Sequence, residues 1–314
     1  MKATVLLVTY NHAPYIRQAL DSVMGQTTDF PFEIVISEDC STDGTRDVVE
    51  QYARRHPERI RLLVSERNRC DNEVIARGIR AARGEFVAYL DGDDWWTVRH
   101  KLQAQVRFLE SHPTCTMCYH SVLRVYEDGS RPSHPSLPPG PRSPMTLEDV
   151  LARYYINSCS VAFRRSAVPE LPDWYYSAEL ADWALSVLLS TRGDVGYVDE
   201  VMAAYRIHGG GVWSGVTRIQ RIEARLEFYD RLGPEFRRKH AAAVRNGRAQ
   251  AYLDLALAWE AENRVGRAAA CVLRSLRESP GNRFLSPGAR LRVLARVLLP
   301  RMRARGSGQR AAGR

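Results

Sequence analysis

Apolar runs of strand length alternate with helical segments through the first 112 residues. These runs are rich in β-branched and other large apolar side chains, and this composition favours strands. Between them, apolar residues recur at helical spacing, as with Ile16, Leu20 and Val23 in a helix that Pro14 can open. The predicted strands are residues 3–9, 32–36, 60–64 and 86–90, and the other predicted helices end near residue 56 or span 71–83 and 98–111. The alternation predicts right-handed β-α-β units, and therefore an α/β fold with a mostly parallel sheet covered by helices on both faces.

The second half of the chain has a looser pattern. Six prolines between residues 131 and 144 indicate a surface loop without regular structure. Beyond residue 217 the strand signals stop, and residues 249–276 predict two short helices similar to one tetratricopeptide-type pair. The other predicted strands are 115–126, 158–163, 196–198 and 203–207, and the other predicted helices are 146–153 and 178–190.

The pattern divides the chain into three parts. Residues 1–215 form an α/β body with halves at 1–112 and 113–215. A helical region follows at 216–282, and a basic tail at 283–314. Within the tail, residues 291–305 predict a basic amphipathic helix that could lie on anionic lipid, although a solvated tail is an alternative.

Three carboxylates stand where the fourth predicted strand ends, at Asp91, Asp93 and Asp94. Carboxylates this close raise one another's pKa unless a cation neutralises them, and Mg²⁺ or Mn²⁺ prefers such oxygen ligands. Gly92 lets the backbone turn close to a ligand. The alternative is a solvated turn in which Asp94 caps a helix starting near Val98.

Polar loops follow the first, second and fourth predicted strands, at the edge where open α/β sheets bind ligands. The first loop, residues 10–14, lacks the glycines of a dinucleotide-binding fingerprint, and no phosphate-loop pattern is present. A Rossmann dehydrogenase is therefore not expected. A second glycine-rich loop, Gly209 to Gly211, follows Arg206 and His208 and suits closure on an anion, or is an ordinary turn.

Charge and cysteine content exclude several classes of protein. Of the net charge of +9, eight arginines fall at or after Arg290 with no acidic residue, which leaves a nearly neutral body. We therefore expect no nucleic-acid partner. The six scattered cysteines indicate reduced thiols, and Cys115, Cys118 and His120 lack a second pair that would complete a zinc site. Without a signal peptide or an apolar run of membrane-spanning length, we expect a cytoplasmic location, with a peripheral position on the inner face of the membrane as an alternative.

Five ordered motifs between about residues 4 and 214 resemble the inverting family-two glycosyltransferases of the GT-A fold. They are VTYNHAPYI, ISEDCSTDGT, GEFVAYLDGDDWW, the Asp-Trp of ELADWAL, and YRIHGGGVWS. More narrowly, SEDCSTDGT and GDDWW are similar to a bacterial subgroup that glycosylates surface polysaccharides or small acceptors. The resemblance implies a nucleoside-diphosphate sugar donor, most often UDP-linked, a Mn²⁺ or Mg²⁺ cofactor and a hydroxyl-bearing acceptor.

The resemblance also implies roles for individual residues. The nucleotide would contact Thr9, Tyr10, Asn11, Asp39 and Asp91, and the diphosphate would contact Arg206 and His208. The metal would bind Asp93 and His208, and Asp182 matches the catalytic base. Because Ala181 replaces the acidic residue that usually precedes this base, Glu179 is a weaker rival.

One carboxylate base and one stabilised leaving group suffice for a single displacement with inversion. Three alternatives to an active transferase are a non-catalytic nucleotide-sugar-binding regulator, a scaffold and a nucleotidyltransferase. The last normally needs a basic, glycine-rich first loop, which residues 10–14 do not supply. The sugar, the acceptor, the linkage and the oligomeric state, a homo-oligomer included, stay open.

Overall fold

The structure is a computed structural model that describes residues 1–68, 71–140, 142–152, 155–211, 215–282 and 284–298. Most strands lie where the apolar runs predict them. The strands are β1 (Ala3–Thr9), β2 (Phe32–Glu38), β3 (Ile60–Val64), β4 (Phe86–Asp91), β5 (Trp95–Trp96), β6 (Cys115–Tyr126), β7 (His134–Pro135), β8 (Ala162–Arg164) and β9 (Asp194–Ile207).

These strands form one sheet in the order β3-β2-β1-β4-β8-β6-β9-β5, with β7 paired to β6. The half formed by β3, β2, β1 and β4 is parallel, as predicted. The other half is mixed, because β8 runs antiparallel to both β4 and β6, whereas β6 and β9 are parallel. The chain builds the sheet outward from β1, first on one side with β2 and β3 and then on the other side with β4.

Helices cover the sheet and then continue as a helical layer. They are α1 (Ile16–Met24), α2 (Thr45–Arg55), α3 (Glu73–Ala81), α4 (Lys101–Ser111), α5 (Leu147–Ala152), α6 (Asp173–Tyr176), α7 (Ala181–Ser190), α8 (Arg218–Arg231), α9 (Pro234–Lys239), α10 (Ala241–Ala261), α11 (Val265–Glu278) and α12 (Pro287–Leu298). None of the helices among the described residues is long and apolar enough to cross a bilayer.

Several element predictions were wrong in their bounds. Residues 194–207 form one strand rather than two, because β9 pairs along the whole length of β6 with bulges. The first helix of the predicted pair is a 21-residue helix that begins at Ala241. Helix α8 was not predicted, although Thr217 and Gln220 form a capping box at its start. The predicted helix at 291–305 is described only as far as Leu298.

The two faces of the sheet have separate hydrophobic cores. Alternate residues of β1 point to opposite faces, as in any strand. Val5 and Leu7 pack with α1, α2 and α4, whereas Leu6 packs with α3, α5 and α7. The second of these cores continues without a break into α8, α10 and α11, so the helical layer completes one face of the sheet.

Candidate active site

The polar loops meet at the carboxyl ends of β1, β2 and β4. The Asp39 N–H donates to the Thr9 carbonyl at 3.0 Å, and the Gly92 N–H donates to the Val8 carbonyl at 2.8 Å. A Cβ added to Gly92 would lie 2.6 Å from Thr9 Oγ1 and 2.8 Å from His12 Nδ1. The acidic turn therefore packs directly on the first loop, which only a residue without a side chain permits.

Asp93 and His208, the two predicted metal ligands, lie side by side. Asp93 Oδ2 is 3.2 Å from His208 Nε2 and 3.6 Å from His12 Nε2. Burial alone would raise the pKa of Asp93, but its hydrogen bond with His208 and the charge of His12 outweigh that effect and lower it. This corner of the site therefore favours the ionised carboxylate, which is the form that binds cations.

His12 is a functional candidate that the sequence reasoning missed. Its backbone N–H donates to Thr45 Oγ1 at 2.8 Å, and its Nδ1 lies 3.3 Å from Thr9 Oγ1. Burial lowers the pKa of His12, and the nearby Asp93 carboxylate opposes this shift. An imidazole in a polar loop after the first strand was the available signal, because that loop lies on the same sheet edge as the acidic turn.

Arg206 contacts the same turn from the end of β9. Its backbone N–H donates to Asp94 Oδ1 at 2.8 Å, and its Nε donates to the Asp93 carbonyl at 2.9 Å. Its Nη2 donates to Gln18 Oε1 at 2.6 Å. The guanidinium carbon lies 4.6 Å from the centre of the Tyr15 ring and 4.5 Å from that of Trp95.

Asp91 is held by two hydroxyl groups. Tyr89 Oη donates to Asp91 Oδ1 at 2.9 Å, and Ser158 Oγ donates to Oδ2 at 2.6 Å. Burial and the Asp93 charge raise the pKa of Asp91 to about 7, although both hydroxyl bonds oppose the shift. Asp91 therefore sits close to the boundary between its acid and carboxylate forms at neutral pH.

Asp94 does not cap a helix, so that alternative was wrong. Helix α4 begins at Lys101, and its N-cap His100 makes no side-chain capping bond. Asp94 is 2% exposed and lies under the turn, where it accepts the Arg206 N–H. Burial and the charges of Asp93 and Asp91 raise its pKa well above the usual range, which favours the neutral acid.

The predicted nucleotide-binding residues lie at the other end of this edge. Thr9 and Asp39 are buried, and Tyr10 is 41% exposed. Asn11 has a φ of 54° and accepts the Thr42 N–H on Oδ1 at 2.8 Å, so it joins the loops after β1 and β2. Tyr10 and Asp39 line one end of a cleft of about 790 Å³ that extends to α8.

Arg77 and Ser65 support Asp39 and were not predicted. Ser65 Oγ donates to Asp39 Oδ1 at 2.9 Å. Arg77 Nη1 donates to Ser65 Oγ at 2.7 Å, and its Nη2 donates to the Glu38 carbonyl at 2.7 Å. Burial raises the pKa of Asp39, while Ser65 and the Arg77 charge oppose that shift. Only the tertiary structure identifies these partners, because Arg77 lies on α3 and Ser65 directly follows β3.

The structure separates the two candidate bases. Asp182 lies in the first turn of α7, where its Oδ1 accepts the Trp183 N–H at 2.8 Å. It lines a small pocket together with Tyr89 and Ser158, the two residues that bond Asp91, and its charge contributes to the raised pKa of Asp91. Glu179 instead lines the large cleft, with its side chain 54% exposed and 3.2 Å from Arg231.

The mixed sheet with helices on both faces has the GT-A fold. The sequence profile of glycosyl transferase family 2 matches residues 4–171, which is more than half of the chain. The chain belongs to glycosyl transferase family 2. This confirms the family and the enzyme class that the motifs predicted.

Two relatives extend the similarity beyond the matched segment. An uncharacterised protein of Mycobacterium tuberculosis is 35% identical over 280 residues, which cover 88% of this chain and 76% of that protein. The putative teichuronic acid biosynthesis glycosyltransferase TuaG of Bacillus subtilis is 30% identical over 214 residues, covering 67% and 81% of the two chains.

Solved structures confirm the fold at low sequence identity. Residues 1–349 of Staphylococcus aureus TarS in complex with UDP-GlcNAc align with a TM-score of 0.57 and 18% identity, covering 95% of this chain and 90% of that one. The mannosyltransferase PcManGT of Pyrobaculum calidifontis, in complex with GDP-Man and Mn²⁺, aligns with a TM-score of 0.58 and 20% identity, covering 94% and 85%.

Proposed function

We propose that this glycosyltransferase moves a sugar from a UDP-sugar to an acceptor hydroxyl, with a divalent cation and inversion at the anomeric carbon. The observation that carries the proposal is the arrangement around the acidic turn. Asp93 and His208 are 3.2 Å apart, and the carboxylate of Asp182 is close enough to raise the pKa of Asp91 in the same turn. A candidate cation site and a candidate base therefore lie close together at this end of the sheet.

The residues present fit a Mn²⁺ or Mg²⁺ ion. Neighbouring ligands of an octahedral ion with bonds of about 2.1 Å lie about 3.0 Å apart, close to the Asp93–His208 separation. Within the described part of the chain no group of three or more His, Cys, Asp or Glu side chains is arranged to hold a metal. A cation held by Asp93 and His208 would therefore take its remaining ligands from the donor diphosphate and water. When bound, it would neutralise the charge that develops on the departing diphosphate.

The donor nucleotide is assigned to the loops after β1 and β2. Asp39 Oδ1 already accepts from Ser65, which suits the single N3–H of uracil better than the adjacent pair of donors on guanine. Thr9, Tyr10 and Asn11 would border the base and ribose, and Asp91 would accept from a ribose hydroxyl. Both neighbouring folds hold nucleotide sugars, UDP-GlcNAc in TarS and GDP-Man in PcManGT, which supports this class of donor.

Asp182 is the proposed general base. A sugar hydroxyl is a poor nucleophile at neutral pH, so a carboxylate must take its proton as it attacks the anomeric carbon. Because the nucleoside diphosphate leaves with its charge stabilised, no protein acid is needed. A single in-line attack with one base inverts the anomeric centre. Glu179 is less suited to this role, since it pairs with Arg231.

The proposed acceptor is a cell-surface polysaccharide, a lipid-linked glycan precursor or a small molecule, handled at the cytoplasmic side of the membrane. The name of the relative TuaG, which refers to teichuronic acid biosynthesis, supports a surface glycan. The seven arginines after Arg290, which is itself buried, support a contact with anionic lipid headgroups. Such a contact would be mainly electrostatic, because the apolar side of α12, with Val297 6% exposed, packs against the protein.

Two substitutions test the catalytic assignment. Asp182→Asn should reduce transfer by about 10²–10⁴-fold while leaving UDP affinity within about twofold, because the amide cannot accept the proton. Asp93→Ala should weaken UDP binding in the presence of Mn²⁺ and have little effect in EDTA. Calorimetric UDP titrations and product assays with a panel of UDP-sugars measure both effects.

Glu179→Gln is the matched control, because it removes the rival carboxylate from the neighbouring cleft. We expect it to retain most of the transfer activity. Full turnover by Asp182→Asn would reject Asp182 as the base. Tight UDP binding without turnover of any donor in the native protein would instead favour a non-catalytic nucleotide-sugar-binding role.

A further inference from the structure

The Arg206 side chain contacts four other residues of the protein. Its Nε binds the Asp93 carbonyl at 2.9 Å and its Nη2 binds Gln18 Oε1 at 2.6 Å. The guanidinium also lies 4.6 Å from the ring centre of Tyr15 and 4.5 Å from that of Trp95. A planar guanidinium suits this combination of directed hydrogen bonds and ring contacts, which a lysine ammonium would not reproduce.

These contacts join three separate segments of the chain. Gln18 belongs to α1, Trp95 belongs to β5 at the end of the acidic turn, and Arg206 itself belongs to β9. The Asp94 carboxylate adds a second link, since its Oδ1 accepts the Arg206 N–H at 2.8 Å. Antiparallel pairing of Trp95 with Ala204 also holds the end of the turn against β9.

The proposed metal ligands belong to two of the segments so joined. Asp93 lies in the turn, and His208 lies two residues beyond Arg206. Tyr15 connects them further, because its ring lies 4.6 Å from the His208 ring as well as under the Arg206 guanidinium. The separation of Asp93 and His208 thus depends on how the turn is held against the end of β9.

We propose that Arg206 is a positioning residue that fixes Asp93 relative to His208, rather than a ligand of the donor diphosphate. The resemblance to family-two enzymes implies a diphosphate contact, but Nε and Nη2 of the guanidinium are already directed at Asp93 and Gln18, which leaves chiefly Nη1 to reach a phosphate. This inference rests on the proposed metal-dependent donor binding. Replacing Arg206 should therefore reduce the increase in UDP affinity that Mn²⁺ causes, and it should leave the UDP affinity without metal unchanged.

The test compares UDP affinity with Mn²⁺ and with EDTA, by calorimetry, in native protein and in Arg206→Gln and Arg206→Lys. The measured quantity is the factor by which Mn²⁺ tightens UDP binding. If Arg206 positions Asp93, this factor should fall at least tenfold in both variants, while the affinity for UDP in EDTA changes less than twofold. The retained charge of lysine should not rescue it.

Gln18→Ala is the matched variant, because Gln18 binds Nη2 whereas the Asp93 carbonyl binds Nε, so the substitution removes only one hydrogen bond of the guanidinium. We expect a two- to threefold loss of the Mn²⁺ factor and an unchanged EDTA affinity. If Arg206→Gln does not fold, as judged by thermal denaturation, Arg206→Lys and Gln18→Ala still decide the question.

Two results would overturn the inference. One is a clear loss of UDP affinity in EDTA for Arg206→Gln that Arg206→Lys restores, which would indicate a direct charge contact with the diphosphate. The other is a native Mn²⁺ factor in all three variants. A native protein whose UDP binding does not respond to Mn²⁺ would instead contradict the proposed function itself.

Discussion

The three carboxylates of the acidic turn differ in protonation although they are separated by at most two residues. Burial beside Asp93 raises the pKa of Asp91 to about 7 and that of Asp94 well above its usual range. Asp93 has His208 and His12 beside it, and its pKa is lowered. The neighbouring groups, and not the residue type, favour the ionised form of one carboxylate and the protonated form of its buried neighbours.

Lys101 is a second charged residue whose environment decides its form. It is fully buried, its Nζ donates to Gln105 Oε1 at 2.6 Å, and it lies 3.9 Å from the centre of the Trp96 ring. Burial lowers the pKa of Lys101 to about 7, and the nearby Cys159 and Cys118 thiols oppose the shift only in part. The folded protein therefore tolerates an ammonium group here at a cost in stability.

We expect Lys101→Met to stabilise the protein, by up to roughly 4 kcal/mol at pH 7. The unfolded chain keeps the lysine proton up to about pH 10.4, whereas the folded chain releases it near pH 7. The destabilisation caused by burying the Lys101 ammonium group is therefore largest below pH 7 and disappears as the pH approaches 10. Urea denaturation at pH 7 and pH 9.5 should show a larger gain at pH 7.

The exposed Arg107 on the same helix provides the control. Arg107→Met should change the free energy of unfolding by no more than about 1 kcal/mol at either pH, because surface ion pairs contribute little. An equal effect of Lys101→Met at both pH values would contradict a lowered pKa for this lysine.

At the scale of elements, the site depends on how closely two loops approach. The turn after β4 and the loop after β1 are neighbours because these strands are adjacent and parallel, with Val8 opposite Asp91. Gly92 allows the contact, since any Cβ there would overlap Thr9 and His12. The turn cannot be displaced without moving Asp93 as well.

Gly92→Ala should destabilise the protein by about 1–3 kcal/mol and reduce the Mn²⁺-dependent part of UDP binding. The added methyl group meets Thr9 and His12 at less than 3 Å, so the turn must shift. Denaturation midpoints and calorimetry measure the two effects.

Gly209→Ala is a suitable control, because a Cβ there has no heavy atom within 4 Å. Its effect on stability should stay within about 0.5 kcal/mol. Native stability and native Mn²⁺ response in Gly92→Ala would show that the turn tolerates displacement.

At the scale of the whole molecule, the C-terminal helices complete the hydrophobic core of the enzyme. Trp183 of α7 packs against Phe228 of α8, with ring centres 4.2 Å apart, and Tyr229 donates to the Leu151 carbonyl of α5. The sequence predicts a boundary near residue 215, but the described helices on both sides of it bury their apolar faces together. We therefore expect the body and helices α8 to α11 to unfold together.

Phe228→Ala should lower the stability of the entire chain by about 3–5 kcal/mol, because it leaves a cavity against Trp183. The measurement is thermal denaturation followed by circular dichroism, with the midpoint determined in the absence and in the presence of UDP. Leu273→Ala, at a position 43% exposed, is the control and should change stability by less than about 0.5 kcal/mol. Two separate transitions in Phe228→Ala, of which the UDP-responsive one keeps the native midpoint, would show that the body and helices α8 to α11 do not unfold together.

The sequence by itself determined the local features of this protein. The apolar runs predicted β1 and β3 to the residue, and the ordered motifs predicted the family, because strand formation and motif chemistry depend on near neighbours in the chain. The shared edge of Asp39 and Asp93 also followed from the chain, since the carboxyl ends of consecutive parallel strands lie together.

Only the tertiary structure decided the contacts between distant segments. The sequence does not indicate that β8 inserts antiparallel between β4 and β6, that Asp94 turns inward to Arg206, or that His12 lies 3.6 Å from Asp93. These depend on strand order and on the packing of loops more than 80 residues apart. Local pattern carries no information about such contacts until the chain has folded, and that is why the partners of each carboxylate had to be read from the structure.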